Sequence, residues 1–305
     1  MPSIEVRPFR RSDREQLTAL VNAHVSAVVP GVSVSVNAVM SQLEREPGEF
    51  IVDPWVSERE TLVAEQRGRV VAAAHLLRHG ADESVHESYR DAGLIRWFLF
   101  WPEAPYWPDS TEARDALITA CIETLDRWGV SRQYADGTLP APGVYGVPDQ
   151  WPHIRATLEQ AGFVHDGHTE IVYVATVDDL PNPCDPPVPG MSLQRSVGVN
   201  GTRLAGILDE QVVGYIEVEV LQDAGRMPRL GGWADIGNLH VVQAHRRRGL
   251  ATWLMGQMTD WLRLAHVDRV LDYAWPEQDD YTAFLEAVGF CELTRTRRGW
   301  VRERP

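Results

Sequence analysis

Leu239-His-Val-Val-Gln-Ala-His-Arg-Arg-Arg-Gly-Leu-Ala-Thr-Trp-Leu-Met255 is the stretch from which this chain is read. With Trp233-Ala-Asp-Ile-Gly-Asn238 before it, its first part has the pattern of a strand. Its last part opens an amphipathic helix that runs through Leu264. Between them lies Arg246-Arg-Arg-Gly-Leu-Ala251. A small-residue turn from strand into helix leaves several backbone N–H groups without partners, and the helix end adds partial positive charge. Such a turn binds anions. Gly249 and Ala251 keep bulk away from the backbone, and Arg246, Arg247 and Arg248 add fixed charge.

Composition narrows the class. The 305 residues suffice for one large or two ordinary domains. Hydrophobic content of 44% with 24% charged residues is that of a folded soluble protein. No apolar run reaches the ~18–20 residues of a membrane span. Met1-Pro-Ser-Ile-Glu-Val-Arg7 lacks an apolar signal core. Cys121, Cys184 and Cys291 are odd in number and without metal spacing, so a reducing cytoplasm and no metal are expected. A net charge of −14 disfavours nucleic acid; it serves solubility, and a field of that sign also attracts a cation such as an amine.

Along the chain, Ser3–Phe9 reads as a strand. Ser12-Asp-Arg-Glu15 reads as a capping box before a helix on Leu17, Leu20 and Val21. A second helix is expected over Ser35–Arg45, and a hairpin about Arg67-Gly68. Gly93–Trp101 is an apolar strand, Thr111–Trp128 a helix, Arg132–Asp136 a strand. A helix from Pro152 ends at Gly162-Phe163, and Thr169–Val177 is a strand. Asp178–Gly190 holds five prolines in thirteen residues and reads as a linker. Then the order repeats: a short strand at Met191–Arg195, a hairpin about Asp209-Glu210, strand Trp233–Val242, helix Gly249–Leu264 and strand Arg269–Ala274. Helix Asp279–Val288 and a closing strand Arg295–Arg302 complete it. Leu158-Glu-Gln-Ala-Gly-Phe163 parallels Leu285-Glu-Ala-Val-Gly-Phe290. A period of roughly 130 residues marks a duplicated domain rather than a solenoid.

The Arg246–Ala251 turn resembles the acyl-CoA loop of the GNAT (Gcn5-related) N-acetyltransferases, Gln/Arg-x-x-Gly-x-Gly/Ala. Ala283–Phe290 is similar to the family's late helix ending in Gly-Phe. The resemblance implies an α+β (mixed α/β) chain of two tandem GNAT-like domains, each a mixed, mostly antiparallel sheet flanked by helices. Residues 1–177 are expected as a degenerate copy, 178–190 as the linker and 191–305 as the copy with the acetyl-CoA loop. The first copy has Trp101–Thr111 in the loop's place; its prolines lack donors, and Glu103 and Asp109 repel a diphosphate. The second copy has only a stub between Arg195 and Arg203, where the family has two helices, so the first copy is expected to supply part of the acceptor wall.

What the resemblance implies for chemistry is acetyl transfer from acetyl-CoA to a primary amine of a small molecule or peptide by direct attack. Arg246, Arg247, Arg248, Gly249, Leu250, Ala251 and Thr252 would hold the diphosphate, and the strand edge at Leu239, His240 and Val241 the pantetheine arm and thioester carbonyl. Asp235 stands where the family often has a strand carboxylate that deprotonates the amine. Glu217 and Glu219 are runners-up as base, and Tyr273 is a further candidate. The family's late-helix tyrosine acid falls on Leu285 here, with Tyr281 one turn earlier on the same face. Gln278 is nearest to the family's asparagine. Trp55, Tyr106, Trp107, Tyr145 and Trp151 are loop aromatics that either line an acceptor pocket or pack. The plan, intact copy last, also resembles the mycothiol synthases, so a biosynthetic acyltransferase is one alternative and a non-enzymatic acyl-CoA-binding module another. No nucleic acid or membrane is expected as partner, and the chain as a monomer or homodimer.

Overall fold

The computed structural model describes residues 4–44, 55–101, 110–221 and 232–303. In chain order the first elements are β1 (Glu5–Pro8), α1 (Arg14–Val28), α2 (Val36–Glu44), β2 (Val56–Gln66), β3 (Arg69–His79), β4 (Ala92–Phe100), α3 (Ser110–Trp128) and β5 (Arg132–Ala135). There follow β6 (Val147–Pro148), α4 (Pro152–Gln160), β7 (Val164–His165), β8 (Thr169–Thr176), β9 (Ser192–Gly198), β10 (Gly201–Leu208) and β11 (Gln211–Leu221). The last are β12 (Trp233–Val241), α5 (Leu250–Leu264), β13 (Arg269–Ala274), α6 (Asp279–Ala287), β14 (Cys291–Arg297) and β15 (Trp300–Arg302). Among the described residues no helix is long and apolar enough to cross a membrane. The fold is the mixed α/β one expected, with mixed sheets flanked by helices.

Contacts divide the chain into Met1–Thr169 with Thr296–Pro305, and Glu170–Arg295. This division cuts across the chain order of the two copies. β8, which precedes the proline-rich segment, lies between β13 and β14 in the second unit's sheet, and β15 lies between β5 and β7 in the first. The expected closing strand Arg295–Arg302 is therefore two strands. The chain turns at Gly299, in the left-handed region at φ 72°, and Trp300 is buried in the first unit. The expected capping box at Ser12–Glu15 is carried instead by Asp13. Its carboxylate accepts the Arg10 N–H at 2.8 Å and Arg7 at 2.7 and 3.0 Å, because a buried arginine needs a carboxylate partner.

The copies share a register landmark. In the first, the β3–β4 pairing slips between His75 and Leu76, leaving Arg96 as the extra residue between Ile95 and Trp97. In the second, β11–β12 slips between Glu217 and Val218, leaving Gly237 between Ile236 and Asn238. An extra residue unpairs the ladder locally and increases the twist. In each copy the bulged strand also has a short parallel partner on its other side. β4 pairs with β5 over Ala92–Ile95, and β12 with β13 over Trp233–Asp235.

Superposing the registers aligns the two copies residue by residue. Asp235 corresponds to Leu94, Asp272 to Ala135, Tyr273 to Asp136 and Glu217 to His75. Counting back from Gly289 and Gly162, Tyr281 corresponds to Ile154 and Leu285 to Leu158.

In the second unit, α5 lays Leu254, Met255, Met258 and Leu262 onto Ile216, Val218, Ala234, Ile236 and Val270. Burial of such aliphatic side chains supplies about 1.5–3 kcal/mol each. The proline-rich segment runs along the helix: Trp253 Nε1 donates to Cys184 C=O at 3.0 Å, and Arg263 to Asn182 Oδ1 at 2.9 Å. Gly256 permits this approach, since a Cβ there would lie 2.6 Å from the Asn182 carbonyl oxygen.

Candidate active site

The turn read from the sequence is exposed from Val242 to Gly249, except for half-buried His245. A short 3-10 turn, Gln243–His245, follows β12, and α5 begins after Gly249, which is left-handed at φ 81°. Glycine takes that conformation without strain. Gly249 caps the helix without a side chain, and the first helical bond runs from Trp253 N–H to Gly249 C=O at 2.9 Å. The N–H groups of Leu250, Ala251 and Thr252 therefore precede the ladder. Arg246 turns its Nε to the Val241 carbonyl at 3.0 Å, which fixes the turn to the strand. Arg247 reaches Asp280 at 3.7 Å between two exposed side chains, a contact of little energy.

The strand edge before the turn is open on one side. Val242 N–H donates to Val213 on β11 at 3.0 Å. Alternation then points the N–H groups of Val241 and Leu239 away from β11, and that of His240 toward it. On that far side the β12–β13 pairs stop at Asp235–Leu271, while β12 continues to Val241 and β13 to Ala274. The strands part there, and the N–H groups of Leu239 and Val241 face the opening. In the first copy the corresponding opening is closed by main chain: Asp136 N–H donates to Ile95 C=O at 2.9 Å and Thr138 N–H to Arg96 C=O at 3.1 Å.

Polar side chains gather where β12 and β13 part. Tyr273 donates its hydroxyl to Asp235 Oδ2 at 3.0 Å. Asp272, the preceding residue, points to the other face of β13 and is buried. Its Oδ1 accepts the Tyr273 N–H at 2.7 Å, and its Oδ2 accepts the Tyr281 hydroxyl at 2.7 Å. Burial pushes the Asp272 carboxyl up to about 7, and the charge of Asp235 adds to that; the bonds from Tyr281 and Tyr273 pull the other way without prevailing. Burial and the neighbouring Asp272 raise the Tyr281 hydroxyl above its ordinary value, so it stays protonated. Sequence reading named Asp235, Tyr273 and Tyr281; it missed Asp272, whose only signal was its place beside Tyr273.

Glu217 lies elsewhere in function. It is 1% exposed, and its carboxylate accepts Arg203 Nε at 2.7 Å and the N–H groups of Val199 and Asn200 at 3.3 Å each. Burial raises this carboxyl, but those bonds and the Arg203 charge outweigh it and hold the group below the usual carboxylate range. Glu217 thus clamps the β9–β10 turn, the stub that the sequence indicated, onto the sheet. Glu219 is exposed on the same face. His240 is exposed and lies 5.6 Å from the Tyr215 ring.

Leu285 is fully buried in the core, and Gln278 accepts the Trp275 N–H at 2.9 Å at the start of α6. Trp151 is buried in the first unit, where it packs on His24, and Trp55 stacks on Tyr89. Tyr106, Trp107, Glu103 and Asp109 lie outside the described residues. Among the described residues no cluster of His, Cys, Asp and Glu has the arrangement of a metal site.

Residues 170–290 match the Acetyltransferase (GNAT) family. These residues form a GNAT domain. Its limits nearly coincide with the second unit, Glu170–Arg295, and take in β8. No curated protein matches the chain in sequence. Among solved structures, the chain is similar over 99% of both lengths to a tandem GNAT protein from the clavulanic acid biosynthesis pathway, with TM-score 0.68 and 17% identity. It is similar to a GCN5-related N-acetyltransferase from Sphaerobacter thermophilus, covering 99% of this chain and 96% of that one, with TM-score 0.63 and 14% identity. A third likeness, TM-score 0.63 at 14% identity, is to a GCN5-related glucosamine N-acetyltransferase region of a fungal multi-domain GH3 β-N-acetylglucosaminidase; 98% of this chain aligns with 38% of that one. The chain thus has the tandem GNAT fold, and the GNAT domain's open strand edge and turn fit acyl transfer.

Proposed function

We propose that the GNAT domain transfers an acetyl group from acetyl-CoA to a primary amine of a small molecule or peptide by direct attack. One observation carries this reading. Of two copies built on the same register, only the second combines an opening between its strands with Asp235, Asp272 and Tyr281 around it. The first copy has Leu94, Ala135 and Ile154 at those positions, and main chain closes its opening. The fold forms with apolar residues there, so the polar set answers to something other than folding.

The residues fit the co-substrate. Ahead of the α5 ladder, the N–H groups of Leu250, Ala251 and Thr252 suit a diphosphate, and an added Cβ at Gly249 would meet nothing nearer than Pro187 at 3.7 Å. Arg247 and Arg248 add charge beside them. The N–H groups of Leu239 and Val241 suit the amide-bearing arm, and one of them the thioester oxygen. When bound, acetyl-CoA supplies an activated acetyl group and a thiol leaving group. Asp235 accepts the proton of the attacking amine, directly or through water, and Tyr273 holds that carboxylate in place. Tyr281 supplies a proton on the leaving side. Glu217 has no part in this reading, because its oxygens are already engaged. Three free cysteines suit work in a reducing cytoplasm.

The test is release of free thiol from acetyl-CoA in the presence of an amine panel that includes glucosamine, a cysteinyl glucosaminyl inositol and peptide N-termini. Turnover on any of them supports the reading. Coenzyme binding without turnover on any favours a binding module, for which the buried Leu285 at the usual acid position speaks. Absence of binding overturns both.

A further inference from the structure

The second copy buries a carboxylate at a position where the first copy has Ala135. Asp272 is 3% exposed on a strand flanked by apolar core, and burying an acid there is costly. Among the described residues each of its oxygens has one donor. The Tyr273 N–H, just past the last β12–β13 pair, fixes Oδ1 at 2.7 Å. The Tyr281 hydroxyl comes to Oδ2 at 2.7 Å from α6. The backbone thus sets the carboxylate, and the carboxylate sets the tyrosine. In the first copy the two partners are absent together: Ala135 and Ile154 stand in the same strand and the same late helix.

We propose that Asp272 is a positioning residue that holds the Tyr281 hydroxyl beside the strand opening as the proton donor to the leaving sulfur. This inference rests on the acetyl-transfer reading above. Consecutive residues of β13 then serve the two sides of the reaction: Tyr273 steadies Asp235 on one face, and Asp272 steadies Tyr281 on the other. In that step the amine nitrogen bonds to the acyl carbon and its proton passes to Asp235. The carbon–sulfur bond breaks with its electron pair on sulfur, which takes the Tyr281 hydroxyl proton while neutral Asp272 passes its own proton to the Tyr281 oxygen. Asp272 regains a proton from water, and Asp235 loses one to it. The Asp272 carboxyl, lifted to about 7 by burial, is divided between neutral and ionised forms near neutrality, so the neutral form that this step uses is present.

A double-mutant cycle on the full chain tests this, with Asp272→Asn, Tyr281→Phe and the pair. Asparagine puts an acceptor oxygen at only one of the two positions that the donors address. Asp272→Asn is expected to lower kcat about 10-fold or more with KM for acetyl-CoA unchanged, and to change kcat by less than 2-fold in the Tyr281→Phe background. Multiplying effects, or a kcat unchanged by Asp272→Asn, overturn it. Melting curves and coenzyme affinity for each variant separate misfolding from loss of the donor, and Asp272→Ala provides a second substitution should Asp272→Asn misfold. If the unmodified chain binds the coenzyme and turns over no amine, the transferase reading fails and this inference with it. If that chain is active and only the cycle disagrees, this inference alone fails.

Discussion

Tyr273 donates its hydroxyl to Asp235 Oδ2 at 3.0 Å, joining β13 to β12 at the point where their pairing ends. Asp235 is the base in the proposed transfer. Asp235→Asn is expected to lower kcat by about 10²–10⁴, the usual contribution of a general base. Acetyl-CoA affinity should stay within a factor of two or three, on the order of the scatter expected for a site that does not touch the coenzyme. Steady-state kinetics and calorimetry check this together, and an active Asp235→Asn enzyme removes Asp235 from the mechanism.

At Ala251, the second residue of α5, stability and binding pull apart. An acidic side chain in a helix's first turn stabilises it by about 0.3–1 kcal/mol. The same charge repels a diphosphate. Ala251→Glu is therefore expected to melt at or slightly above the temperature of the unmodified chain while binding CoA at least ~10-fold more weakly, about 1.4 kcal/mol. Unchanged CoA affinity would show that the coenzyme lies elsewhere.

Leu285 occupies the position where a catalytic tyrosine was expected from the family resemblance, yet it is fully buried in the core. Leu285→Tyr is expected to overpack the core and cost about 1–3 kcal/mol without raising kcat. A gain in kcat would mean that the acid position is reachable from this turn of α6. Denaturant melts and initial rates on one preparation decide.

Glu217 makes a pH prediction for stability. Its folded pKa is lowered, so its contribution is present above the unfolded value and lost as pH falls through the folded one. Glu217→Gln should destabilise by about 1–3 kcal/mol at pH 7, with the difference shrinking below about pH 4. Activity per folded molecule should change little. A destabilisation equally large at pH 3 would contradict the ionic clamp.

Asp272 has the opposite sign. Its folded value, about 7, lies above an unfolded carboxylate's, so the native state binds the extra proton between about pH 4 and 7. Stability from this group therefore declines as pH rises through that window. Asp272→Asn should flatten the melting temperature between pH 5 and 8 relative to the unmodified chain. Parallel profiles for the two proteins would place the titration elsewhere.

Much of this site is local and could be read along the chain. The turn from β12 into α5 is set by Gly249, the arginines before it and the apolar face of the helix, all within one short stretch. The repeat of helix, Gly-Phe and strand exposed the duplication. Asp235 and Tyr281 could be named because each sits at a countable distance from such a landmark.

Two features came only from tertiary structure. One is the exchange of strands, with β8 in the second unit's sheet and β15 in the first. A strand's sequence specifies which faces it buries, but its partner is chosen by hydrogen bonds to residues far away in the chain. The other is the set of contacts at the strand opening. The bulge at Gly237 and the early end of the β12–β13 pairing bring Asp235 to Tyr273 and expose the amides of Leu239 and Val241. Asp272 meets Tyr281 only because β13 and α6 pack together, and no local pattern announces a buried carboxylate whose two donors come from different elements.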